Sequence, residues 1–374
     1  MSRDSTPSSA DRITSGEPSI LSRKDLRRQG SDRRRKRRLI VAGVIVVAAG
    51  VATAILLLRN GNTATSPISG PACPLTGEPA PGGAVLARPA VAVKVGNYSG
   101  DRPSAGLNQA DVVFEEPVEG SITRLVAVFQ CQAPALVGDV RSARQPDVGI
   151  LSQLSDPIFV HAGGIDPVLA LLSHANLIDE NVLSAASATV VHPAGRSAPY
   201  STFVKPEAVW ALNSSHTTPP SPLFDHVPAL PTGAVAGSGA TVHIPFSSSS
   251  DVTWKWDPAT TRYVRYYSNS ADVLVDGTQT SATNVVAMTV HTIIGPWVES
   301  GGGAREVEVV ATGSGPLVVL RGGAAIKGTW SRSSLDRPAT LTAADGTNIT
   351  LQPGNTWVEF VPEGIPVTTT SPAP

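Results

Sequence analysis

From about residue 226 onward the chain is a series of short stretches in which apolar and polar residues alternate: ATVHIPF, VTWKW, RYVRYY, ADVLVDG, TNVVAMTVHTII, REVEVVAT, PLVVLRGG, AAIKGTWSR and NTWVEFVP. Gly, Asp, Asn and Ser separate them, and no helical run interrupts the series. Alternation with a period of two sends successive side chains to opposite faces of a strand. Short strands at regular spacing specify antiparallel β structure, a sandwich or a barrel. Residues 226–364 are therefore expected to form a β-rich second domain, and 365–374 a loose tail.

Residues 73–225 mix two periods. RPAVAVKVGN, DVVFEEPV and SITRLVAVFQ alternate like half-buried strands, the last two joined by EGS as a hairpin with Gly120 in the turn. DVGILSQLS has helical spacing. DPVLALLSHA opens with Asp166 and Pro167, a good helix start, and KPEAVWALNSS repeats that signature. The expected fold class is α+β: a mixed α/β first domain over 73–225, then the antiparallel β-rich domain, after one N-terminal transmembrane helix.

That helix is read from residues 39–58, LIVAGVIVVAAGVATAILLL, twenty residues without a charge. RRRKRR precedes it, and only Arg59 lies just beyond it. Positive-inside bias places residues 1–38 in the cytoplasm as a disordered basic tail and everything after the span outside, with 59–72 as a linker. The expected partner of 39–58 is the lipid bilayer, and the expected location is the cell membrane, single-pass. A cleaved signal peptide is the alternative, because ATA at 52–54 resembles a cleavage site. Charge divides in the same way. Residues 1–38 carry 12 Lys+Arg and 5 Asp+Glu, which leaves 17 and 25 for the rest. An acidic body is a poor match for nucleic acid, and none is expected.

Two cysteines, Cys73 and Cys131, both follow the apolar span. Outside the cytoplasm an even count favours a disulfide, with two buried free thiols as the other reading. Two distant cysteines without clustered histidines do not make a zinc site, so no metal is expected. No P-loop, dinucleotide glycine pattern, HExxH or GxSxG occurs, and no cofactor is implied.

Several segments together resemble the YerB-like family of bacterial envelope lipoproteins, a domain of unknown function. They are CPLTG, RPAVAVKVGN, DRPSAGLNQADVVFEEPVEGSITRLVAVFQ, VGDVRSAR and FVHAGG in the first half. In the second they are NVVAMTV, VLRGGAAIKGTWSRSS and DGTNITLQPGNTWVEFVP. The resemblance spans about residues 73–362. It implies an extracytoplasmic protein held at the membrane, with a mixed first domain and a β-rich second one, and it assigns no catalytic residues. The chain departs from it in the anchor, where an apolar span stands in place of a lipidated cysteine.

The candidate ligand-binding residues are Arg141, Arg144, His161, Arg124 and Glu115. Arg141 and Arg144 follow a strand where the chain turns helical, a usual place for ligand contacts. Guanidinium groups suit carboxylate or phosphate. His161 ends another strand before a glycine turn, so these groups converge if the strands are neighbours. The competing reading pairs Arg141 and Arg144 with Asp139 and Asp147, pairs Glu115 or Glu119 with Arg124 across strands, and makes His161 a core residue. Trp254, Trp256, Tyr263, Tyr266 and Tyr267 suggest either a glycan-stacking face or core packing, the latter being commoner on alternating strands. Two functions follow. One is a non-catalytic envelope protein binding an anionic cell-wall ligand or a protein partner. The other is a cell-wall hydrolase or transferase using an Arg/His/Glu cluster. The sequence leaves open whether the chain is an enzyme.

Overall fold

A computed structural model describes residues 70–183, 189–230, 240–299 and 303–370. Its centre is a sheet of ten strands. Across the sheet the order is Thr340–Ala343, Ala324–Arg332, Gly313–Arg321, Asn284–Val290, Thr356–Pro362, Val112–Val118, Ile122–Phe129, Val91–Gly96, Ile158–His161 and Ile178–Asn181. The first five come from the second half of the chain and the last five from the first half. The seam is parallel: Thr356–Pro362 runs beside Val112–Val118, with Val112 opposite Thr356 and Glu115 opposite Glu359. One sheet therefore crosses the boundary drawn at residues 225 and 226.

The strands around the seam are rich in Val and Ile, which suit a pleated buried surface. The hairpin from Val112–Val118 to Ile122–Phe129 closes through Glu119–Ser121. Gly120 adopts φ of 74° there, a left-handed conformation that glycine takes without a steric penalty. Alternation then sorts the side chains. Val93, Leu125, Ala127 and Trp357 enter one core cluster, and Ala92, Phe114, Val126 and Val128 enter the other.

A second sheet packs into the first of these clusters. It comprises Ser270–Ala271, Arg262–Tyr267, Ser250–Asp257, Thr241–Ser247 and Thr368–Thr370, with Ser281–Ala282 also pairing to Arg262–Tyr267. Val242, Ile244, Trp254 and Tyr263 supply its apolar face, and the Trp254 ring meets Trp357 edge-on at 5.1 Å between centroids. Trp254 and Tyr263 are thus core residues. Thr368–Thr370, inside the stretch expected to be a loose tail, is an edge strand on Thr241–Ser247.

The expected α+β class is corrected to a mostly β protein. The helix-period runs of the first half fold into helices of only six, eight and seven residues: Pro146–Leu151, Asp166–Ser173 and Pro206–Leu212. About two turns each, the first two plug the second core cluster through Ile150, Leu151, Val168 and Leu172, and the third enters the first cluster through Val209 and Trp210. They do not form a layer, because the hydrophobic surface of the first half is taken up by five strands of the shared sheet. The expected transmembrane helix at 39–58 lies outside the described residues. Among the described residues no helix is long and apolar enough to cross a membrane.

Charged groups are buried between the two sheets. Glu115 and Arg265 are fully buried and form an ion pair, and Arg265 Nη1 donates to Asp272 Oδ2 at 3.0 Å. Asn97 Nδ2 and Thr123 Oγ1 donate to Glu115 Oε1 at 3.0 and 2.7 Å. Glu359 accepts the Trp254 indole N–H at 2.7 Å. Burial, and then the neighbouring Glu115, hold the Glu359 carboxyl well above the ordinary carboxylate range, so it is neutral. Cys73 and Cys131 are joined by a disulfide with a sequence separation of 58 and Cα atoms 6.0 Å apart.

Replacing both cysteines with Ser should lower the unfolding free energy by about 4 kcal/mol, from loop-closure entropy, and shift the urea midpoint down. An unchanged midpoint would remove that role for the bridge. Glu359→Gln should stay within about 1 kcal/mol of wild type at pH 7, since the carboxyl is already neutral. Arg265→Ala should cost about 3–5 kcal/mol by stranding Glu115 in the interior. Denaturant titration of both variants tests this, and equal losses would contradict the assigned charge states.

Candidate functional site

Residues 138–145 thread past the ends of two strands. Val140 bridges Val95, and Arg141 N donates to Lys94 O at 2.9 Å. Ala162 N donates to Arg141 O at 3.0 Å, and Ala143 N to Gly163 O at 2.9 Å. These backbone bonds hold Arg141 and Arg144 at fixed places between Val91–Gly96 and Ile158–His161. Their side chains part company.

Arg144 is buried with Arg124 around one carboxylate. Its Nε donates to Glu119 Oε2 at 2.7 Å and its Nη2 pairs with Glu119 Oε1, a forked arrangement typical of strong pairs. Its Nη1 donates to Ala143 O at 2.8 Å, and Glu299 Oε1 lies 3.1 Å from Nε. Arg124 Nη1 donates to Ser142 O at 2.8 Å, with Nη2 3.5 Å from Glu119 Oε1. Beside them Lys94 is wholly buried, paired to Glu116 and to Asp147 Oδ1 at 2.7 Å. Asp147 Oδ2 also accepts Arg144 N at 2.7 Å. Burial pushes Glu116 up to about 7 against the pull of Lys94. Glu119, by contrast, is held below the ordinary range by Arg144, which outweighs its burial.

Arg141 faces elsewhere. Its Nη1 donates to Pro199 O at 2.7 Å. Its Nε is 3.5 Å from Asp101 Oδ1, its Nη1 is 4.0 Å from Asp139 Oδ2, and its guanidinium lies 5.3 Å from the Tyr200 ring centre. The carboxylate contacts are too long for hydrogen bonds. Asp101 and Tyr200 seat on two glycines: a Cβ at Gly96 would lie 2.3 Å from Asp101 Cγ, and one at Gly100 would lie 2.7 Å from the Tyr200 ring. Burial, then Asp101 among its neighbours, raise Asp139 to about 7 even though Thr202 N donates to it.

The five expected binding residues therefore do not share one cleft. Arg124 and Arg144 meet at Glu119. His161 is fully buried, with Nδ1 2.8 Å from Gly163 O and Nε2 2.7 Å from Asp179 Oδ1. Glu115 points to the other face of the sheet, toward Arg265. Glu115 and Glu116 are adjacent on one strand, so only one of them can face Lys94. Arg141 alone of the cations keeps an outward side, with 22% of its side chain exposed against 8% for Arg124 and 5% for Arg144. The residues missed from sequence are Lys94, Asp101 and Glu299. Lys94 carried a signal: a single cation inside the run AVAVKVG must find a buried partner. Glu299 carried none, since its contact with Arg144 is purely tertiary. Among the described residues no group of three or more His, Cys, Asp or Glu is placed to hold a metal ion.

Comparison with known proteins gives the family. Two family models match, the N-terminal domain of the protein of unknown function DUF3048 over residues 75–218 and its C-terminal domain over residues 242–358. The curated relative named "Putative lipoprotein YerB", from Bacillus subtilis (strain 168), is 52% identical over 79 residues, 21% of this chain and 24% of the relative. The match thus spans about a quarter of that protein. A crystal structure of YerB protein from Bacillus subtilis superposes with a TM-score of 0.68 at 22% identity, covering 80% of this chain and 100% of that one, a likeness of fold. The relative's name speaks of a lipid, not of a membrane-crossing helix. With no such helix among the described residues, the expectation of a single-pass transmembrane protein is corrected and carried no further. The chain belongs to the YerB-like family defined by the N- and C-terminal DUF3048 domains, a family of unknown function.

Proposed function

We propose that this chain is an extracytoplasmic, non-catalytic binding protein that recognises an anionic group of the cell envelope at the face carrying Arg141. The observation that carries this reading is the contrast among the three expected arginines. Arg124 and Arg144 are buried around Glu119, whereas Arg141 remains partly exposed and its carboxylate neighbours, Asp101 and Asp139, stand off at 3.5 and 4.0 Å, beyond hydrogen-bond reach. Asp139, raised to about 7 by burial, is half protonated near neutral pH and offsets Arg141 only in part. The Tyr200 ring and Arg196, whose Nη1 donates to Asp101 O at 3.0 Å, frame the same face. The disulfide supports an oxidising compartment. The hydrolase or transferase alternative needs the arginines, His161 and a glutamate in one solvent-open cleft, whereas Arg144 is buried against Glu119 and His161 is fully buried.

Titration calorimetry with inorganic phosphate and with a poly(glycerol phosphate) tests the reading. Arg141→Ala should weaken binding about tenfold with the thermal midpoint unchanged, the loss of one charge-assisted contact. Arg144→Ala should instead cost about 3–5 kcal/mol of stability, because it strands Glu119 and Glu299. Binding of the poly(glycerol phosphate), whose phosphodiester charge is constant there, should also weaken as pH rises through about 7, since Asp139 then gains negative charge beside the ligand. Equal affinity in wild type and Arg141→Ala would dismiss the site.

A further inference from the structure

A two-stranded hairpin, Thr292–Val298 paired with Arg305–Val309, belongs to neither main sheet. It packs against the turn Glu119–Ser121, which carries the carboxylate shared by Arg124 and Arg144. Thr292, Ile294, Arg305 and Val307 form one wall of a groove of about 310 Å3 whose other wall includes Pro117, Glu119 and Gly120. Outward, Ile293 and Val298 are 44% and 55% exposed, while inward Val309 and Trp297 pack against the second core cluster.

Beside these apolar contacts its inward charged contacts are uneven. Glu299 reaches Arg144 at 3.1 Å and acts as a tether. Glu306 is fully buried, and neither of its carboxylate oxygens has a hydrogen-bond partner. The groups facing it are Glu308 and Glu299 from the hairpin itself, Arg144 from the 138–145 segment and Glu119 from the turn. Glu308 Oε1 and Glu306 Oε2 lie 2.9 and 3.5 Å from the same point above Gly295, so two carboxyls crowd one glycine. Around this contact Lys94, Arg124 and Arg144 face Glu116, Glu119, Asp147, Glu299 and Glu306. Carboxyls outnumber cations, and an ionised carboxylate without donors is strongly disfavoured in the interior. The closed arrangement therefore calls for a proton on Glu306.

We propose that the 292–309 hairpin is a proton-operated flap, docked on Glu119–Ser121 while Glu306 is protonated and released as Glu306 ionises, which uncovers Glu119, Arg124 and Arg144. Burial, then Glu308, raise Glu306 from its ordinary 4.5 to about 7 in the docked state. A raised docked-state value means that docking is strongest below about 4.5, weakens as pH rises from there to about 7, and is level above. The flap is independent of whether Arg141 binds an anion.

Hydrogen exchange of the full chain, corrected for intrinsic rates and followed in the 292–299 and 303–309 backbone, tests it at about pH 5 and about pH 8. Protection should fall about tenfold or more at the higher pH in wild type, and Glu306→Gln should lose most of that dependence, leaving the smaller part that Glu299, also raised by burial, contributes. Glu116→Gln should keep the wild-type dependence. Wild-type protection that ignores pH overturns the flap. So does a dependence undiminished in Glu306→Gln, or one that vanishes in Glu116→Gln.

Discussion

Parallel pairing of Val112–Val118 with Thr356–Pro362 joins two stretches of chain more than two hundred residues apart into one sheet, and the rest of the molecule inherits its geometry. The pairing sets Glu115 opposite Glu359, two carboxyls on one face, an arrangement that like charges would resist. Two features relieve it: Arg265 pairs with Glu115 from the second sheet, and Glu359 is neutral. A slip of the Val112–Val118 strand by one residue would leave one buried cation without its carboxylate: Lys94 would face Pro117 in one direction, and Arg265 would face Phe114 in the other. The buried charges therefore specify register. Their contribution to stability is smaller, since a buried pair gains little over packed apolar groups although breaking it costs several kcal/mol.

Each face of the sheet carries its own charged cluster, and the two differ in kind. The inter-sheet cluster is closed, with Glu115, Arg265 and Glu359 all out of contact with solvent. The Lys94–Arg144 cluster has a fringe: Glu119 keeps 13% of its side chain exposed, and its outer cover is the 292–309 hairpin, attached through Glu299. Arg141, three residues before Arg144, escapes both clusters. The backbone bonds of Arg141 to Lys94 and Ala162 turn its side chain toward Asp101 and Tyr200.

Much of the local structure was legible. EGS closes a hairpin because Gly120 supplies the left-handed turn, and a helix does start at Asp166 and Pro167, although Ile165 rather than Asp166 is its N-cap and Pro167 takes the second helical position. The error lay in weight. Three short helical runs suggested a layered α/β domain, yet their length allows about two turns each, and strand pairing claimed the remaining surface. For the site, the spacing of Arg141 and Arg144 showed two guanidiniums near a strand end. It could not show that one would be buried and the other exposed, because that depends on Glu119 and Glu299, supplied by a hairpin turn and by a distant strand.

Composition and pattern alone determined that the second half is made of short alternating strands, where the turns fall, and that Glu115 and Glu116 serve opposite faces of their strand, since these follow from side-chain period and glycine conformation. Only the tertiary structure decided that the two halves share one sheet, which carboxylates meet Lys94, and which of the three expected arginines is left to meet solvent. Those outcomes rest on contacts between residues far apart in the chain, and a local pattern carries no record of the partner that will neutralise it.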